Sequence, residues 1–158
     1  MKKIIVCFLI LLGLVFVACG KEKNIGELVD KEKISSEYNI KKEDETHLQF
    51  SDKNEDNPEI FRIFSIEKMP KVEYKTPQKL DKIEEFYIEH DWETIYKDEQ
   101  ILIVCYEDED TKDYEYNIHI FDDSKTELSI TVSVGATRKV SKDELFDMLK
   151  EAKEFIKK

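Results

Sequence analysis

Tyr114-Glu115-Tyr116-Asn117-Ile118-His119-Ile120 is followed closely by Glu127-Leu128-Ser129-Ile130-Thr131-Val132-Ser133-Val134, and these two stretches decide the fold. Apolar and polar residues alternate with period two in both. An extended strand sends such sets to opposite faces. Tyr114, Tyr116, Ile118 and Ile120 therefore line one apolar face, and Leu128, Ile130, Val132 and Val134 line another. The connection between the stretches is short and polar, which permits a hairpin, so the two strands are expected to pair antiparallel.

Reading upstream, residues 101–106 form an uninterrupted apolar run that reads as a buried strand. Lys97-Asp98-Glu99 turns into it from a shorter strand at 92–96. Cys105 sits inside the run and reads as a small buried hydrophobe rather than a reactive nucleophile. Ile60, Phe61, Ile63, Phe64 and Ile66 are closely spaced strand formers at 59–67, and a short strand is expected at 48–51. Leu80, Ile83, Phe86 and Tyr87 fall on one face of a helix ending near His90. A second helix begins with Ser141 and Glu144, spaced as a capping box, with Val140 and Leu145 as a hydrophobic staple. Leu145, Met148, Leu149, Ala152, Phe155 and Ile156 continue it as an apolar stripe. The expected fold is α+β: an antiparallel meander sheet of about five to six strands with two amphipathic helices packed on one face.

The N-terminus carries an address. Lys2 and Lys3 precede 14 residues, 4–17, without a charge. As a helix that run would span about 21 Å, short of the roughly 30 Å hydrocarbon core of a bilayer. Length and flanks point to an export signal rather than a permanent span. Val15-Phe16-Val17-Ala18-Cys19 resembles the lipobox of bacterial lipoproteins, with Phe16 where leucine is commoner. The resemblance implies cleavage between Ala18 and Cys19 and a diacylglyceryl group on the Cys19 sulfur. Two or more acyl chains hold a protein firmly on a membrane, at roughly 0.8 kcal/mol per buried CH₂. The address implies the outer membrane of a two-membraned cell, because Gly20 follows the cysteine, or the outer leaflet of a single membrane. Residues 1–18 are thus expected as signal peptide, 19–45 as a polar tether with a weak signal for a short helical stretch near Ile25 to Ile34, and 46–158 as one α+β domain.

Cleavage would leave 140 of the 158 residues and, by removing Lys2 and Lys3, move the formal charge from −11 to −13. Phosphate backbones repel such a surface, so no nucleic acid partner is expected. Of three cysteines only Cys105 would remain a thiol, which excludes an intrachain disulfide.

Local catalytic signatures are missing from the sequence. Gly135 is the one glycine in the patterned region, so no glycine-rich phosphate loop can form. His47, His90 and His119 stand apart without metal-ligand spacing. Asp52, Asn54 and Asp56 have the first spacings of a calcium loop, but Asn57 and Ile63 stand where it needs glycine and glutamate. Neither metal nor cofactor is expected. The acidic run Glu107-Asp108-Glu109-Asp110 reads as a solvated hairpin loop, and His90-Asp91-Trp92 as a helix end feeding a buried aromatic.

One surface remains. Helices covering the apolar side of the meander would leave Glu115, Asn117, His119, Ser129, Thr131 and Ser133 on the other, a short-chained polar face suited to a protein or glycan partner. The expected function is that of a lipid-anchored, non-catalytic binding or protein-interaction module of the cell envelope. The alternatives are an envelope enzyme with a site assembled from distant residues, and an acidic inhibitor or immunity-type protein.

Overall fold

The alternating stretches become two nine-residue strands at the centre of a seven-stranded antiparallel sheet. A computed structural model describes residues 24–53, 59–69, 76–122 and 128–157. The export segment, Ala18 and Cys19 lie outside them, as do Asn54 and Asp56. In chain order the elements are α1 (Ile25–Leu28), α2 (Lys31–Glu37), β1 (Tyr38–Glu43), β2 (His47–Asp52), β3 (Ile60–Lys68), α3 (Thr76–Ile88), β4 (Glu93–Lys97), β5 (Ile101–Glu107), β6 (Tyr114–Asp122), β7 (Leu128–Ala136) and α4 (Lys142–Glu154).

The α+β class is as expected, and the sheet is larger than expected. Its order is β1-β2-β3-β7-β6-β5-β4, which is two meanders joined where β3 pairs with β7. Four antiparallel steps separate β3 from β4, so those two strands run parallel, and α3 lies on the crossover between them. Both edges are irregular: β1 is bulged between Ile40 and Lys42, and β4 between Thr94 and Tyr96.

The main core lies on one side, here the front. Ile103, Ile118, Val132, Phe64 and Phe50 cross the sheet there, against Leu145, Met148, Leu149, Ala152 and Phe155 of α4. The Ser141 capping box is formed, and Val140 and Leu145 are both buried. Phe155 closes the core with Tyr38, Phe50 and Phe64, at ring-centroid distances of 5.3, 5.2 and 5.6 Å.

The expectation of two helices on one face is corrected. Helix α3 packs on the opposite side, the back, where Leu80 meets Leu102, Val104 and Phe121 in a second, smaller core. The cause is visible in β5, whose Ile101, Ile103 and Cys105 face front while Leu102 and Val104 face back, all five buried. A strand apolar on both parities needs cover on both sides. Phe86, expected on the packed face of α3, is 57 % exposed and stacks on His90 instead.

The tether reading is corrected from Asn24 onward. Ile25, Val29, Ile34 and Tyr38 are buried in the front core. The Asn24 and Asp30 side chains cap α1 and α2 by accepting from the Glu27 and Lys33 amides. Val29 and Ile156 pair as an isolated bridge, and the Asp30 amide donates to the Phe155 carbonyl at 2.8 Å. The segment is polar by composition because its elements are short and each buries only one or two residues.

Candidate functional site

The register places all six residues of the expected partner face on the back of the sheet. Glu115 lies opposite Gly135, Asn117 opposite Ser133, His119 opposite Thr131 and Phe121 opposite Ser129. Helix α3 then divides this face into a covered half and an open half, a division that the expected arrangement did not contain.

His119 and Thr131 belong to the covered half. The His119 Nε2 shares a hydrogen bond with the Tyr87 hydroxyl of α3, and its Nδ1 shares one with the Thr131 hydroxyl, both at 3.1 Å. Burial pushes the imidazole down to about 4, so it is neutral near pH 7. Burial also raises the Tyr87 hydroxyl. Trp92 stacks beside Tyr87 at 4.9 Å, after a chain reversal made by Asp91 in the left-handed region (φ 65°). Thr94 and Lys97 of β4 reach the Glu84 carboxylate at 2.8 and 2.5 Å and hold the other flank of α3. His119 is thus a support for the helix, not a contact offered to solvent.

The open half lies across β3, β7 and β6. Phe61, Gly135 and Glu115 form one row of the register, with Ile63, Ser133 and Asn117 in the next. Together they line a shallow depression of about 200 Å³. Its floor is the missing side chain of Gly135, where a Cβ would meet nothing within 4 Å. The Ser133 hydroxyl donates to the Asn117 amide oxygen at 2.7 Å, which fixes the orientation of that amide. Half-buried Phe61 and Ile63 give the depression an apolar wall that the expected six residues lacked. Their signal was present in the sequence: residues 60–66 are apolar on both strand parities, as in β5.

The remaining candidates are structural. Asp52 pairs with Arg62 at 2.7 Å, and Arg62 also meets Glu151, whose other oxygen accepts from the Tyr38 hydroxyl. Burial and that carboxylate push the Tyr38 hydroxyl up. In the acidic hairpin, the Asp108 carboxylate accepts from the Asp110 and Thr111 amides, both at 2.9 Å, and Lys112 takes a positive φ. Cys105 is buried in β5, and burial raises its thiol. Among the described residues no three His, Cys, Asp or Glu side chains are grouped to hold a metal ion. Among the same residues no helix is long and apolar enough to cross a membrane.

Compared with protein-family models, curated proteins and solved structures, the chain matches none of them.

Proposed function

We propose that the mature chain is a lipid-anchored envelope protein that binds a protein or glycan partner, without catalysis, through the open half of the back face. The observation that carries the binding role is the gap at Gly135. A side chain is missing from β7 between its paired neighbours β3 and β6, and Phe61, Ile63, Asn117 and Glu115 surround the space. Phe61 and Ile63 offer apolar contact there, beside an Asn117 amide held by Ser133. The lipid anchor rests on the sequence at 15–19 and on the charge-free run before it.

The binding role is tested by placing a photo-crosslinking residue at Asn117 in intact cells. A specific envelope adduct is expected, and Gly135→Leu should abolish it by filling the gap, where the added Cβ meets nothing within 4 Å. An adduct no stronger than that from exposed Asp147 on α4, or one indifferent to Gly135→Leu, would overturn the reading. The anchor is tested by metabolic labelling with a fatty-acid analogue. Cys19→Ser should remove the label, and undiminished labelling would sink the assignment.

A further inference from the structure

Asn24 is the first described residue, and the sheet register shows at which end of the sheet it lies. The Ile25 amide donates to the Glu45 carbonyl at 2.9 Å, so α1 sits beside the 44–46 turn. The Lys68 amide donates to the Thr46 carbonyl at 2.7 Å, and Lys68 in turn pairs with Leu128, which pairs with Asp122. These residues share one end of the sheet. Ile60, Ala136, Tyr114 and Glu107 share the other. Nine-residue strands separate the two ends by about 27 Å. The Gly135 gap lies in the far half, one residue from the Ala136 end of β7.

Four residues, Gly20-Lys21-Glu22-Lys23, stand between Cys19 and Asn24. Covalent geometry limits the distance from the Cys19 Cα to the Asn24 Cα to about 18 Å. A tether running to residue 45 would instead reach about 90 Å and let the domain take any attitude.

We infer that the 44–46 end of the sheet is the lipid-facing end of the anchored protein, apposed to the phospholipid leaflet that holds Cys19, with the Gly135 gap and the 108–113 hairpin directed away. This rests on the Cys19 anchor proposed above. From Glu107 to Asp113 the chain carries five carboxylates and one lysine, which anionic headgroups repel. Around the entry point Lys31 pairs with Glu43 at 2.6 Å and Lys42 with Asp44 at 3.8 Å, beside the exposed carboxylates of Glu27 and Glu45. A partner at the gap must then lie within about 45 Å of the headgroups, the sum of chain reach and strand length.

The test uses the full-length acylated protein in phosphatidylcholine–phosphatidylglycerol vesicles that carry a headgroup nitroxide. A fluorophore is attached through Thr46→Cys or, separately, through Asp110→Cys; both positions are exposed, whereas native Cys105 is buried and leaves each label unique. Quenching at position 46 is expected to be severalfold stronger than at 110. Inserting about 20 Gly-Ser residues after Lys23 should erase the difference, since such a linker lets the domain tumble. Equal quenching at both positions in the acylated protein, or stronger quenching at 110, would overturn the orientation and leave the anchor standing. A wild-type protein that incorporates no fatty acid would overturn the anchor and the orientation together.

Discussion

Acid should weaken this protein through His119 in a defined pH window. The imidazole is clamped between the Tyr87 and Thr131 hydroxyls and half-buried under α3, with its folded pKa about 4 against an ordinary 6.5. Because the folded value is the lower one, the unfolded chain takes up the proton first. The stability associated with neutral His119 is whole above pH 6.5, falls as pH drops through the window, and is fully lost below pH 4. The two values differ enough to make the loss about 3 kcal/mol, at 1.36 kcal/mol for each pH unit of displacement. That is a large fraction of the 5–15 kcal/mol typical of a domain. The assay is urea denaturation at several pH values from 7 to 4, on the wild type and on His119→Gln. Carboxylates titrate in both proteins and cancel in the difference, so the wild type should lose about 3 kcal/mol more than the variant across the window. Amide exchange should accelerate in α3 before the rest, because Tyr87 couples that helix to the histidine. Parallel pH dependences in the two proteins would refute the reasoning.

Three further outcomes are expected. Phe155→Ala should cost about 3–5 kcal/mol by thermal or urea denaturation, since the ring is fully buried among Tyr38, Phe50 and Phe64. Leu149→Asp should be severely destabilising, measured in the same way, because it buries an unpaired charge on the core side of α4. A chain starting at Asn24 should unfold cooperatively in calorimetry, whereas one starting at Glu45 should lose its transition. The second truncation removes Ile25, Val29, Ile34 and Tyr38, and each fully buried side chain of this kind contributes about 1.5–3 kcal/mol.

The centre of the fold was legible in the sequence because its strands are long and buried on one face. Residues 114–120 and 127–134 alternate cleanly, and the six strands expected from 48 to 134 all form. The seventh, β1, was hidden for two physical reasons. It is an edge strand that buries only Tyr38, and its bulge breaks the period-two pattern between Ile40 and Lys42. Helices α1 and α2 span four and seven residues, too few turns for a helical stripe to repeat. The helix on the back face was legible in principle, since Leu102 and Val104 alternate with Ile101 and Ile103 in an all-apolar run. The polar back face was half legible: its parity followed from alternation, but the covering of His119 and Thr131 depended on where Tyr87 arrives, and no local pattern encodes that. Phe61 and Ile63 were read only as strand formers because their facing depends on register with β7.

The bulged edges limit how this molecule can recognise anything. An exposed strand edge is a row of unused backbone donors and acceptors, and a straight one invites another chain to extend the sheet. On β1 the register slips between Ile40 and Lys42, and on β4 between Thr94 and Tyr96, so neither edge presents an even ladder for a guest strand. Lys41, Lys42 and Glu43 add charge along the first edge. Recruitment by strand addition, whether of a peptide or of a second copy, is therefore disfavoured at both ends of the sheet. Recognition of the kind proposed above would then rest on side chains of the faces, where a single substitution can change it, and not on backbone geometry that any extended sequence could satisfy.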